Sequence, residues 1–211
     1  MPSASDRFER GPARVRCAIL AGGRATRFGG AAKGLATVGG RRILDRLVDA
    51  SLRAFGEPPL LVASHPDAAT WRPDLAVAPD RIAGAGALGG IYTATLAAPA
   101  PVVCLAWDLP FITAGLLRRL GEGLDRSDVV IPATARGLEP LCAGYGPGTV
   151  GPIEAAIESG DLRATGFHHA VSVAVLGPAD LTPFGDPARL FFNVNEPGDL
   201  ERAEAMAGAG D

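Results

Sequence analysis

The chain's single lysine, Lys33, closes a glycine-rich loop. Residues 20–33 read Leu-Ala-Gly-Gly-Arg-Ala-Thr-Arg-Phe-Gly-Gly-Ala-Ala-Lys. Consecutive glycines let backbone N–H groups converge on an anion. Within the loop Arg27 can offer a planar fork to phosphate oxygens, and Lys33 a compact point charge. A Walker A loop requires Gly-Lys followed by Ser or Thr; here Ala32 precedes Lys33 and Gly34 follows it. Composition sharpens the point. Of 20 basic residues nineteen are arginine, and the chain has two asparagines, Asn193 and Asn195, and no glutamine. The plain explanation of such exceptions is chance survival at tolerant surface sites. The place of Lys33, inside a glycine-rich loop, argues against chance.

Two further stations carry chemistry. Asp108 follows the apolar run 102–107 and precedes Leu109-Pro110. An aspartate at a strand end is commonly a turn former or helix cap. Its alternative use is as a ligand for magnesium, which takes hard oxygens, often one or two carboxylates completed by phosphates and water. The segment Phe192-Asn193-Val194-Asn195-Glu196-Pro197 brings both asparagines together. In a strand, residues two apart share a face, so both amides could donate to phosphate or offer carbonyl oxygens to a metal. Asn195 could equally cap a final helix. Gly84-Ala-Gly86-Ala-Leu-Gly89 matches a dinucleotide fingerprint, but 79–83 separates it from the preceding strand, which weakens that reading. His65, His168 and His169 stand at no metal or triad spacing and read as structural. No covalent nucleophile signature is present.

These residues need a scaffold that presents strand ends. Short apolar runs at 15–20, 60–63, 75–78, 102–106, 129–131, 141–143, 171–176 and 190–194 read as strands, several continuous enough to be covered on both faces. Helical patterns lie between them, at 42–55 with Ile43, Leu44, Leu47, Val48 and Leu52 as its apolar stripe, and at 87–96, 114–124 and 153–157. A last helix follows Pro197, with acidic residues in its first turn. The alternation predicts an α/β sandwich with a mainly parallel sheet. The stretch 177–187 reads as a surface loop. In open α/β sheets ligands bind beyond the carboxyl ends of the strands, where the loop and Asp108 both lie.

The pattern Leu-Ala-Gly-Gly-x3-Arg-x-Gly-x3-Lys resembles the signature of nucleotidyltransferases that include molybdenum cofactor guanylyltransferase. The resemblance runs from Ala18 to about Glu201, more loosely over 136–187, with Ala32 where the family often has Asp. It implies a Rossmann-like three-layer α/β/α sandwich and a nucleotide site containing Leu20, Ala21, Gly22 and Gly23. Arg27 would bind phosphates and Lys33 steady the triphosphate charge. Asp80 and the Gly86-Ala-Leu88-Gly89-Gly90 stretch would line the base pocket, and Asp108 would hold Mg2+. Asn193 and Asn195 would lie on the phosphate side, while Arg136 in Arg-Gly-Leu-Glu-Pro-Leu would face the acceptor; an exposed loop arginine is the competing reading. The Gly-Gly pair, Lys33-Gly34-Leu35 and the Asn-Val-Asn ending look most like guanylyl transfer from GTP to molybdopterin cofactor. Cytidylyl or sugar-phosphate transfer, a non-catalytic nucleotide-binding regulator and an oxidoreductase remain open.

Composition sets the outer bounds. The 211 residues suit one nucleotidyltransferase domain over 15–207 behind a tail at 1–14. A net charge of −3 makes no electrostatic case for nucleic acid or membrane, and no apolar run approaches the roughly 20 residues of a membrane span. Cys17, Cys104 and Cys142 sit apart in apolar runs, as buried thiols of a cytoplasmic protein would. A fragile product would favour transient handover to molybdoenzymes or cofactor-insertion proteins.

Overall fold

The computed structural model describes residues 14–22, 33–97 and 100–208. Its central sheet takes five main strands from the apolar runs: β1 (Arg16–Leu20), β4 (Leu60–Val62), β6 (Val102–Ala106), β7 (Val129–Thr134) and β10 (Val173–Leu176). β5 (Val77–Ala78) lies at one edge, and β9 (Cys142–Tyr145) is inserted between β6 and β7. The order is β10-β7-β9-β6-β1-β4-β5, with β8 (Gly137–Leu138) paired to β7. A separate hairpin, β2 (Thr37–Val38) with β3 (Arg41–Arg42), follows the glycine-rich loop.

The period of two along the strands builds both layers. Cys17 and Ile19 of β1 join Val103 and Leu105 of β6 on one face, beneath α1 (Ile43–Phe55) and α4 (Ala114–Gly123). Ala18 and Leu20, with Val102 and Cys104, face the other way, onto α3 (Gly86–Ala97) and α5 (Val150–Glu158). Burial on both faces is why these runs are continuously apolar. The result is a three-layer α/β/α sandwich. Pairs β1–β4, β1–β6, β4–β5 and β7–β10 are parallel. β9 runs antiparallel to both of its neighbours. A parallel crossover needs a dozen or more residues, and only 135–141 separate β7 from β9, so the chain must reverse. That reversal returns Leu141 to the carboxyl edge of the sheet. All three cysteines are buried and free.

Three expectations need correction. Residues 190–194 form no strand. Pro187 at the first helical position and the Asp186 side chain, accepting from Ala188 N–H at 3.0 Å, nucleate the short helix α7 (Pro187–Leu190). The chain then runs through 191–196 without ladder pairing. The segment 177–187 is not a plain loop: Pro178 opens α6 (Pro178–Leu181), the Gly177 N–H donates to Asp180 at 2.9 Å, and Leu181 is fully buried. On α1, Leu52 is 40% exposed and Ser51 takes the interior position, because a 3.6-residue period carries the buried stripe from Leu44 through Leu47 and Val48 to 51. The remaining helices are α2 (Ala68–Trp71) and α8 (Pro197–Gly208). Among the described residues no helix is long and apolar enough to cross a membrane.

Candidate active site

The carboxyl ends of β1, β4, β5 and β6 open onto a cleft of about 470 Å³. Leu20, Val62, Asp80, Gly86, Trp107 and Asp108 line it, with Gly22, Ala87, Gly90 and Leu141 around them. Glycines bring the wall close: a methyl on Gly90 would lie 3.6 Å from Leu20 and 3.9 Å from an Asp80 oxygen. Gly86 opens α3 at φ +58°, a conformation costly to side-chained residues. Of the residues expected in the base pocket, Asp80, Gly86, Ala87 and Gly90 stand on the cleft. Leu88 is fully buried in the core, and Gly89 packs toward Ala85 and the Ile82 carbonyl; neither lines it. Ala21 is buried and donates its N–H to the Val62 carbonyl at 2.8 Å. Gly23 and Arg27 lie outside the described residues.

Asp80 is held by a residue that sequence reasoning passed over. The Ser64 hydroxyl donates to Asp80 Oδ2 at 2.8 Å and accepts the Asp80 N–H at 2.9 Å. Ser64 stands two residues past the end of β4, so its position at a strand end was the available signal.

Lys33 and Asn195, 162 residues apart, meet at 2.9 Å, with the ammonium donating to the Asn195 side-chain oxygen. Segment 191–196 acts as a strap across this edge. Its Val194 N–H donates to the Asp108 carbonyl at 2.9 Å. Asp199, in the first turn of α8, accepts from Asn195 N–H at 2.8 Å and Glu196 N–H at 3.0 Å. This is the backward half of a capping box, so the side chain of Asn195 does not cap the helix and is left for Lys33. The acidic first turn pointed to Asp199, but only as a partner of the helix dipole. At the other end of the strap Arg136 donates to the Phe191 carbonyl, and it pairs with Glu139 at 3.2 Å. Arg136 thus lies where the β7–β8 hairpin meets the strap, its side chain still 57% exposed.

Asp108 sits between cleft and strap. Burial raises its carboxyl above the usual carboxylate range; nearby Lys33 and a backbone hydrogen bond pull it down without reversing the shift. Asp108 Oδ1 and Asn193 Oδ1 are both buried without a hydrogen-bond partner among the described residues. A buried acceptor left unmet costs about 1–3 kcal/mol, and a hard cation removes that cost by taking oxygen ligands. No group of three or more His, Cys, Asp or Glu side chains is placed to hold a metal among the described residues. The donor set therefore suits a cation that completes its shell with ligand oxygens and water. A methyl on Gly34 would lie 2.5 and 2.9 Å from two carbons of the Trp107 ring, so the turn that begins at Lys33 rests directly on the indole.

The MobA-like NTP transferase domain family matches residues 17–171. A probable molybdenum cofactor guanylyltransferase from Pelotomaculum thermopropionicum is 35% identical over 190 residues, covering 90% of this chain and 91% of the relative. The molybdenum cofactor guanylyltransferase of Desulfosudis oleivorans is 31% identical, over 91% of this chain and 95% of its own. Among solved structures, molybdopterin-guanine dinucleotide biosynthesis protein A from Archaeoglobus fulgidus superposes with a TM-score of 0.78 at 25% identity, covering 92% and 99% of the two chains. A 2-C-methyl-D-erythritol 4-phosphate cytidylyltransferase from Thermus thermophilus shares the fold, with a TM-score of 0.64 at 21% identity over 92% and 99% of the chains. With a strand-end cleft, a lysine–asparagine pair and a buried carboxylate oxygen unmet among the described residues on one edge of such a sheet, the chain belongs to the MobA-like NTP transferase family and is a nucleotidyltransferase.

Proposed function

We propose that this enzyme transfers a guanylyl group from GTP to the phosphate of molybdopterin cofactor, releasing pyrophosphate and forming the guanine dinucleotide cofactor. The relatives named for this activity match the chain nearly end to end. The observation that carries the nucleotide choice is Asp80: one carboxylate oxygen is occupied by Ser64, while the other stands near Gly90 on the cleft. Guanine offers N–H donors on its pairing edge, which a carboxylate accepts; cytosine offers fewer there. We place the reaction in the cytoplasm, with molybdoenzymes or insertion proteins as transient recipients of the product.

In this reading the base lies against Leu20 and the glycines of α3, with its N–H groups on Asp80. Gly22 and Gly23 offer backbone N–H groups to the triphosphate, and Arg27 and Lys33 neutralise its charge. Asn195 holds the ammonium of Lys33 from behind. Asp108 and the Asn193 oxygen would hold Mg2+, which supplies charge neutralisation to the phosphates when bound. Arg136 lies toward the acceptor. An acceptor phosphate oxygen attacks the α-phosphorus in line; the new P–O bond forms as the bond to pyrophosphate breaks. A phosphate monoester has a second pKa of roughly 6, so the nucleophile is already anionic and needs no strong base. The protein's task is positioning and electrostatics.

The test is pyrophosphate release from GTP, CTP, ATP and UTP, each with Mg2+ and with or without molybdopterin cofactor. Release from GTP only when cofactor is present supports the proposal. Release from CTP instead would transfer the reading to cytidylyl transfer, and release from none would overturn the acceptor assignment.

A further inference from the structure

We propose that Trp107 is a positioning residue for Lys33, its indole serving as the floor on which the Lys33–Gly34 turn is seated. The role rests on the reading of Lys33 given above, but the geometry is independent of any substrate. Lys33 opens a single 3-10 turn, Lys33–Leu35, of which only Gly34 is buried. Any side chain at 34 would enter the indole at 2.5 and 2.9 Å and approach the Trp107 carbonyl at 3.2 Å. Backbone and ring are therefore in direct contact, and the residue beside that contact is the one whose ammonium reaches Asn195.

The floor is itself braced. Trp107 stacks on Trp71, with ring centroids 5.1 Å apart and planes at 28°, and Trp71 in turn meets His65 at 5.2 Å. Trp71 is clamped from behind: Arg42 donates to its carbonyl at 3.1 Å and grips Asp45 with two bonds, at 2.7 and 2.9 Å. Arg72 adds a 2.8 Å bond to the same carboxylate. The backbone N–H of Trp107 donates to the Leu20 carbonyl at 3.3 Å, tying the residue to the end of β1. A flat aromatic surface, stacked on Trp71 and anchored to β1 through its own backbone, thus lies under the turn. A lysine side chain has many rotamers to lose, and a seated backbone removes the part of that freedom that begins at its own Cα.

Lys33 is the chain's only lysine, so 13C-lysine-labelled, ligand-free protein reports it alone. The measurement is the order parameter of its Cε, which ring-current changes do not distort. We expect an ordered Lys33 in the wild type and a fully released one in Asn195→Ala, which sets the scale. Trp107→Leu, which keeps apolar volume but removes the flat ring, and Gly34→Ala, which lifts the turn while leaving the indole in place, should both release it. Trp107→Phe should restore order. The two release mutations act on one contact, so Gly34→Ala in the Trp107→Leu background should add nothing. With GTP and molybdopterin cofactor, Gly34→Ala should lower kcat by about tenfold or more with little change in KM for GTP. An ordered Lys33 in Trp107→Leu, or full additivity of the two mutations, would overturn the proposal. The order parameters need no substrate, so an error in the substrate assignment would show as absent turnover with the lysine effects intact.

Discussion

Asp108→Asn should make the ligand-free protein more stable while removing its activity. The Asp108 carboxylate is largely buried, one of its oxygens has no partner among the described residues, and burial outweighs the attraction of Lys33, so its carboxyl is raised above the ordinary carboxylate range. A raised carboxyl binds protons in the folded state that the unfolded chain has already released. Stability therefore falls as pH climbs from the unfolded value, about 3.9, through the folded one. The wild type thus carries a charge cost at neutral pH that vanishes in acid. Asparagine keeps an unmet Oδ1 but removes the charge, and because an unmet charged group costs more than a neutral one, we take the difference as about 1 kcal/mol. For a chain of this size that corresponds to a rise in Tm of roughly 2–4 °C. Thermal unfolding of both proteins from pH 7 downward should show the mutant's advantage at pH 7 shrinking to nothing below about pH 3.9. Turnover should fall by about 10²-fold or more. A mutant less stable at pH 7, or an advantage that does not change with pH, would refute the claim that Asp108 is an uncompensated charge.

Lys33→Ala removes one partly buried hydrogen bond, so urea unfolding should register a loss of about 1 kcal/mol at most, while steady-state turnover falls by about 10²–10³-fold. Asp199→Ala strips the first turn of α8 of its acceptor for two N–H groups and should cost about 1–2 kcal/mol; turnover should drop as well, because the strap that holds Asn195 loosens. Asp80→Asn keeps the shape of the pocket but loses the charged acceptor for guanine, so kcat/KM for GTP should fall by about tenfold or more in a nucleotide-panel assay, with CTP far less affected.

The extent to which the site was readable varies residue by residue. The loop that ends at Lys33 announced itself through a local, gapped pattern, and Asp108 through its place after a continuous apolar run. Both follow from chain-local rules: glycine frees the backbone, and a strand end exposes what comes next. Ser64 and Trp107 also stand at strand ends, but no residue type or motif marked them, because their importance comes from a neighbour: Asp80 for one, Gly34 for the other. The misread strand shows why. Residues 190–194 are as apolar as a strand, but burial alone does not distinguish a strand from a packed turn and strap, and the proline and Asp186 that begin α7 decide locally in favour of a helix.

By itself, then, the sequence determined the alternation of strands and helices and the parallel core of the sheet, and it singled out the glycine-rich loop with Lys33, because period, glycine content and charge are properties of short stretches. Only the tertiary structure decided that Lys33 would reach Asn195 and not stand alone, that Asp199 would take over the helix cap and free that asparagine, and that Asp108 would keep an oxygen unmet among the described residues. Those outcomes depend on which strands lie adjacent and on how far burial strips a carboxylate of water, and neither distance nor solvation is written in residues 162 positions apart.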